Sequence, residues 1–534
     1  MRSGSFLLFS FVLLGTAAMA QTTATIVGAV TDSTGAVVPN TKVTAVHAAT
    51  GLARTTLTNQ SGNYVLPLLP VGEFSVAAEI NGFKRETVTG IVLHVNEEVR
   101  VEIVLEVGAL TETVSVSAQA TALQTENAVV GHVVDNRYTT QLPLNGRDFA
   151  QLVLLVPGAT TRPGGFEQTV GAATGSLGSG VAIGGRDNQN NFTLDGASNN
   201  ARQFGNIAIK PSVDSIQEFK VLTNSYSAEM GQAAFGQISL ITKSGTNTLH
   251  GTLFEFWRND IFDARNFFLP KVSRLNRNQF GGAAGGPVVR NRLFFFFNYE
   301  ANRERRGVEL TRSVPIQAWR DGDFSGIAGL TLRDPQSQLP FPNNRIPAAR
   351  FSKTATAALG LWPKQNFGDP LATISNNLLV TNPNRFSDNQ LTGKGDWELS
   401  GKDRVSGRYT HAAHNQTTIG SLLPGFELFI PPSNTVGLVN WTHIFTPLML
   451  GDFRASFTRS EFVQCSANCY KEGYYAQFGI NHPLAGAQFE GAPSLTFSNI
   501  TLTTFGDDDF NYQRDISNEF NYAGNLTWTR GNHT

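Results

Sequence analysis

The sequence predicts an exported chain dominated by β-structure, with a small β-sandwich near its start and an antiparallel transmembrane β-barrel, only partly present, towards its end. Three observations lead there. A short apolar leader opens the chain. Residues 21–107 hold brief alternating strands cut by glycine and proline turns. Beyond residue 245 the strands lengthen and pair through tight turns, with aromatic rings on one face and polar groups on the other.

Arg2, the apolar run Phe6 to Leu14 and the small residues Ala18-Met19-Ala20 before Gln21 have the order of a cleaved signal peptide, with the cut between Ala20 and Gln21. The alternative, an N-terminal anchor, fails on length, because a helix needs about 20 apolar residues to cross a bilayer. No later segment is long and apolar enough either, which leaves secretion, the periplasm or a barrel in the outer membrane. The net charge of −1, from 41 basic and 42 acidic residues, gives no nucleic-acid footprint. Only 16% of residues are charged, while Gly (52) and Phe (38) are abundant, a balance suited to strands, tight turns and rings facing an apolar phase.

The sandwich follows from regular spacing. Ile26 to Val30, Lys42 to Val46, Ser75 to Ala78 and Ile91 to Val95 are strands. Val99, Val101, Ile103 and Leu105 alternate with Arg100, Glu102 and Val104. The turns carry a pattern: Gly28, Val30, Asp32, Gly35 and Pro39, then Thr50-Gly51, Ser61-Gly62 with Tyr64, Leu69-Pro70 with Gly72 and Phe74, and Gly82-Phe83. This resembles the carboxypeptidase regulatory-like domain, a transthyretin-like sandwich grouped with carbohydrate-binding-like folds. Tyr64 and Phe74 are expected as core rings, and no zinc-ligand set accompanies the domain.

Residues 131–244 carry a second resemblance. Its pieces are Gln141-Leu142-Pro143-Leu144-Asn145-Gly146-Arg147-Asp148-Phe149, Asn191-Phe192-Thr193-Leu194-Asp195-Gly196, Ile216 to Val221, and Gly236-Gln237-Ile238-Ser239-Leu240-Ile241-Thr242-Lys243. Together they resemble the α/β plug domain of Oar-like TonB-dependent receptors. One departure is Thr223-Asn224, where the wider family has Arg-Gly. The glycine-rich piece from Gly164 to Gly185 reads as a mobile loop, since no G-K-[ST] follows it. Asp195 reads as a turn-capping residue. In the linker, residues 108–130, Glu112-Thr113-Val114-Ser115-Val116-Ser117-Ala118 resembles in position and flavour the box gripped by the periplasmic TonB protein. Two readings stand there: a last sandwich strand, or an extended segment taken up by strand addition.

From residue 245 to 534 the chain reads as barrel. Leu391, Gly393, Gly395, Trp397 and Leu399 share one face, and Thr392, Lys394, Asp396 and Glu398 the other. After the turn at Lys402, Val405, Gly407 and Tyr409 oppose Arg404, Ser406, Arg408 and Thr410. Val439, Trp441 and Phe445 lead through Thr446-Pro447 to a strand where Phe453 and Phe457 oppose Asp452, Arg454 and Thr458. Membrane strands need about 9–11 residues with such a two-faced pattern. Lys402 and Thr446 then lie on the periplasmic side, and Asp323 to Gln390 and Ser460 to Asp515 include long outer loops. Gly245 to Glu300 also resembles the Oar-like barrel region. Family members have about twenty-two strands, so the expected barrel is incomplete and the chain is read as a fragment.

Candidate chemistry is sparse. His411 and His414 sit three apart on a strand and face opposite ways. Cys465 and Cys469 lie in an exported loop and are expected to form a disulfide. Asp507-Asp508-Asp509 lacks calcium-loop spacing and reads as a solvated run. No catalytic, cofactor or metal site is expected. The function implied by the resemblance is recognition or uptake of a bulky extracellular ligand, with carbohydrate, iron chelates and peptides all open. Its expected partners are a TonB-type energy-coupling protein and outer-membrane lipid. The sandwich then lies in the periplasm. Two alternatives are a structural or adhesion protein of the outer membrane without transport, and a secreted sugar-binding protein.

Overall fold

The computed structural model describes residues 23–109, 113–117, 130–161, 180–202 and 205–528, apart from short stretches between 225 and 511. The signal-cleavage residues Ala20 and Gln21, and most of the glycine-rich piece from residue 164, lie outside the described residues.

Among the described residues nine strands build the sandwich: β1 (Ala24–Asp32), β2 (Lys42–His47), β3 (Ala53–Leu57), β4 (Asn63–Leu69), β5 (Gly72–Glu79), β6 (Arg85–Leu93), β7 (Glu98–Arg100), β8 (Ile103–Leu105) and β9 (Thr113–Ser117). One sheet runs β4-β1-β7, with β8 also on β1, and the other runs β3-β2-β5-β6-β9. Alternation along each strand puts Ile26, Val43, Leu66, Val76, Leu93 and Ile103 between the sheets. Each such side chain contributes about 1.5–3 kcal/mol on burial. Tyr64 and Phe74 are both in this core, and the Tyr64 hydroxyl donates to the Val101 carbonyl at 2.8 Å. Gly28 is required by packing: a Cβ there would stand 1.9 Å from the Val101 carbonyl oxygen.

The middle body contains β10 (Val130–Asp135), α1 (Asn136–Gln141), β11 (Ala159–Thr161), β12 (Val181–Ile183), β13 (Asn191–Leu194), β14 (Ala197–Ser198), β15 (Asn200–Ala201), β16 (Asn206–Ile207), β17 (Ile216–Asn224) and β18 (Gln237–Thr242). Its main sheet has the order β10-β17-β18-β13-β14. The Asp135 carboxylate caps α1 by accepting from the amides of Arg137 and Tyr138. Phe149, Phe192, Phe219, Ile238 and Leu240 form its core.

The last sheet holds β19 (His250–Asn259), β20 (Leu275–Val289), β21 (Leu293–Arg312), β22 (Leu378–Glu398), β23 (Asp403–Thr418), β24 (Leu428–Ile430), β25 (Ser433–Thr446), β26 (Met449–Ser466) and β27 (Tyr512–Trp528). Val439, Trp441, Phe453, Phe520, Tyr522, Leu526 and Trp528 are exposed on its outer face. Thr392, Arg408, Asp452, Arg454, Ser456 and Thr458 are buried on the inner face, against the middle body. That is the inverse of a soluble sandwich, and it is what lipid on one side and polar protein on the other demand. Among the described residues no helix is long and apolar enough to cross a membrane.

The strands run further than sequence alternation suggested. β21 has 20 residues and β22 has 21, so the stretch Asp323 to Gln390 is loop only as far as residue 377, and β26 and β27 likewise claim both ends of Ser460 to Asp515. The extension is supported from the loops. Leu378 and Val380 pack with Val314, Trp362, Leu422, Phe426, Phe478 and Phe505, so the outer connections share an apolar core of their own.

Candidate functional site

The most elaborate chemistry lies on the seam between the middle body and the barrel wall. β13 and β14 are joined by Asp195-Gly196, both with positive φ (49° and 78°), between the paired residues Leu194 and Ala197. This is the geometry of a two-residue hairpin of the I′ type, for which Asp-Gly is well suited. The Asp195 carboxylate does not cap its own turn. It accepts from the Thr242 amide (2.9 Å) and hydroxyl (2.6 Å) and meets Arg408 Nε at 2.8 Å and Lys394 Nζ at 3.5 Å. The Arg408 contact is a close ion pair whose N–H is poorly aligned for a hydrogen bond. Burial alone would raise the carboxyl pKa, but the two cations and Thr242 together hold it below its ordinary value.

The wall grips the backbone of the same hairpin. Arg408 Nη2 donates to the Leu194 carbonyl (2.9 Å), Arg454 Nη1 to the Gly196 carbonyl (3.1 Å) and the Thr458 hydroxyl to the Ser198 carbonyl (2.6 Å). Arg202 reaches from the middle body to Glu519 of β27 with two bonds of 2.7 Å. Charges and hydrogen bonds dominate this part of the seam, beside a small apolar patch where Ala197 and Ile209 meet Ala412, Val436 and Leu438 of the wall.

A second cluster uses the Leu142 to Asp148 segment. Arg147 pairs with Asp214, lies 3.7 Å from Glu300, and covers the rings of Phe254 and Phe256 at 4.2 and 4.9 Å. Asp148 pairs with Lys210 at 2.6 Å, with both side chains buried. Wall residues Arg277 and Gln279 donate to Asn145 Oδ1 (3.0 Å) and the Gly146 carbonyl (3.2 Å), and Glu300 accepts from the Ser212 hydroxyl.

The sandwich is tied to both bodies. Immediately after β6, His94 Nδ1 bonds Glu218 Oε2 at 2.7 Å and the Val95 amide donates to Glu218 Oε1 at 2.6 Å. Lys220 donates to the Asn96 carbonyl at 2.9 Å. The Glu218 hydrogen bond raises the His94 pKa against the effect of burial, whereas burial and the nearby Arg404 depress His47 to about 4. A cavity of about 310 Å³ separates sandwich, middle body and wall, lined by His47, Asp195, Lys394, Asp396, Arg404 and Arg408 among others.

The residues singled out from sequence fall as follows. Thr113, Val114, Ser115, Val116 and Ser117 form β9, parallel to β6 in the register Arg85↔Thr113 to Thr89↔Ser117, while Glu112 and Ala118 lie outside the described residues. Cys465 and Cys469 are joined as a disulfide. His411 bonds the Thr435 hydroxyl and His414 is buried beside Phe386, on opposite faces of the strand. Asp507 is not solvated as expected. It is buried and accepts from Asn468 (3.0 Å) and the Ala492 amide (2.7 Å), because the outer loops fold around it; Asp508 and Asp509 lie outside the described residues. Among the described residues no cluster of metal-ligating side chains occurs. The plug-like pieces include Arg147 and Glu218 but assign them no partner, and Lys210 and Glu519 carry no signal in the sequence. Arg408 and Lys394 were placed on the inner face without a partner, and a charge facing inward in a chain so poor in charge was the available signal.

An inward polar face filled by a separate body and an outward face of rings define an outer-membrane β-barrel with a plug. Residues 241–534 match the family described as outer membrane beta barrel domain, more than half of the chain, and the chain belongs to that family. Residues 25–106 match the carboxypeptidase regulatory-like domain. The chain is similar to the TonB-dependent transporter Oar of Myxococcus xanthus, 28% identical over 307 residues, covering 54% of this chain and 27% of that relative. Similar solved structures include the outer-membrane transporter YddB of Escherichia coli (TM-score 0.44, 11% identity, 75% of this chain and 45% of that one). Another is the siderophore receptor PirA of Acinetobacter baumannii (TM-score 0.39, 13% identity, 74% and 44%). The chain thus spans about a quarter of its curated relative and under half of these structures.

Proposed function

We propose that this protein is an Oar-like receptor that takes up a bulky extracellular ligand when a TonB-type energy-coupling protein pulls on residues 112–118 and shifts the plug. The observation that carries the reading is the buried ion-paired seam around Asp195 and Arg408. A permanent filling would gain more from apolar contact, since a buried ion pair adds little net stability. Polar surfaces that part can be re-solvated at lower cost than bare apolar ones. The outer loops, with their shared core, form the recognition surface. The sandwich offers no sugar platform through Tyr64 or Phe74, which are both buried.

The test places a cysteine at Ala197, which is buried against the wall, in the full receptor in its own membrane. Maleimide labelling is then followed with and without the proton-motive force. Energy-dependent labelling that disappears on deletion of residues 112–118 is the expected result. Labelling unaffected by energy or by the deletion leaves the second reading, adhesion or structure without transport. One observation favours that alternative: β9 is already hydrogen-bonded into the sandwich.

A further inference from the structure

The position of β9 has a mechanical consequence. β9 is the end strand of the sheet β3-β2-β5-β6-β9, and its sequence, Thr-Val-Ser-Val-Ser, has neither charge nor proline. Natural edge strands are usually blunted by such residues. Among the described residues its outer edge pairs with no other strand, so that edge can take an extended strand of a partner without β9 leaving β6. β6 in turn ends at Leu93, and the next two residues, His94 and Val95, hold both oxygens of Glu218. Glu218 is buried on β17, next to the centre of the plug sheet, and lies opposite Asp135 of β10. Three polar links, from His94, Val95 and Lys220 with Asn96, thus join one end of β6 to one strand of the plug.

We propose that the sandwich is a load-bearing link in this receptor. The energy-coupling partner adds its strand to β9 in place, and the pull passes through β6 and the His94-Val95 corner to Glu218. The sandwich would then be neither a passive appendage nor a ligand-binding module. The covalent route, through residues 118–129 to β10, meets the same strand, because β10 pairs with β17. Both routes converge on β17, but only the one through Glu218 can be cut by a side-chain change. The inference rests on the coupling reading above and adds a path to it.

The experiment uses the full receptor in energised cells, with two readouts. Cross-linking of Val116→Cys to a cysteine in the partner's periplasmic domain reports docking. Maleimide labelling of Ala197→Cys reports plug movement. With Glu218→Ala, docking should persist while energised labelling falls to the de-energised level, and the heat-dependent gel shift should show that the barrel is still folded. An oxidised His94→Cys/Glu218→Cys pair should restore labelling at position 197, read by mass on the peptide that carries it, and reduction followed by removal of the reductant should abolish the labelling of that peptide again. Normal labelling in Glu218→Ala with docking intact would overturn the path through Glu218, leaving only the linker and the Lys220–Asn96 contact. Absence of the Val116 cross-link in the otherwise unaltered receptor would remove the coupling reading itself, and the path with it.

Discussion

Asp195 Oδ2 and Arg408 Nε stand 2.8 Å apart across the boundary between plug and wall, with both side chains buried. The pair sits on a turn whose shape Asp and Asn can both supply, so its charge and its turn role can be separated. Asp195→Asn keeps the turn and strands Arg408 and Lys394 without their carboxylate. Arg408→Ala strands the carboxylate and also removes the bond to the Leu194 carbonyl. Removing one partner of a buried pair costs roughly 3–5 kcal/mol. Both variants should release the plug at lower denaturant while the gel shift of the barrel is unchanged, as read by protease cleavage within residues 180–242. A plug equally resistant in Asp195→Asn would show that the turn, not the charge, seats it.

The sandwich should be seated most firmly near pH 6.5. The His94 pKa is raised above 6.5 by Glu218, so its contribution is complete below that value and fades as pH rises through the raised pKa. His47 behaves in the opposite sense. Its pKa falls from 6.5 to about 4, so its contribution is complete above 6.5 and is lost as pH drops towards 4. Spin labels at exposed Val92 and at the Thr446 turn should give a narrow distance distribution near pH 6.5 that broadens on both sides. His94→Gln should remove the alkaline limb alone. A flat response above pH 7 in the unaltered protein would contradict the role of His94.

Gly196 is held at φ 78° in the same hairpin, and a side chain there pays roughly 1–2 kcal/mol for the left-handed region. Gly196→Ala should lower the plug's release midpoint by less than Asp195→Asn, because the ion pair survives the strain. The two variants compared in one denaturant titration decide this, and a larger effect for Gly196→Ala would reverse the ranking of turn and charge.

What could be read in the sequence depended on periodicity. The inward set Thr392, Lys394, Asp396 and the outward set Leu391, Trp397 follow from alternation alone, because a strand has only two faces. The burial of Tyr64 and Phe74 follows instead from the resemblance that the turn pattern of the sandwich carries. What a face touches is not periodic. Nothing local to Arg408 says that Asp195, more than two hundred residues earlier, lies against it. Nor does the sequence near His94 announce Glu218. Strand ends were also hidden, since β21 and β22 continue on support from loop residues such as Trp362 and Phe505 that are distant in the chain. Asp507 read as solvated for the same reason: its partners Asn468 and Ala492 come to it only when the loops fold.

The outer face can be tested without any ligand. Val439 lies midway along β25, exposed, with Gly407 and Ala455 beside it on the neighbouring strands, while the next residue back, Leu438, is buried against the plug residue Ala197. A lipid-facing arginine near the bilayer midplane costs about 2–4 kcal/mol in a barrel, falling towards zero near the interfaces. Val439→Arg should therefore lower the yield of heat-modifiable barrel in membranes, whereas Val439→Leu should leave it unchanged. The same arginine at Trp528, close to the β26–β27 end where Met449 pairs with it, should cost less, because that position lies at the strand end beside the Thr446 turn. Equal losses at the two positions would mean that the face is buried in protein contact rather than in a bilayer with depth. Lipid alone predicts a gradient along the strand, and a gradient is what distinguishes a membrane wall from a soluble sheet with an apolar side.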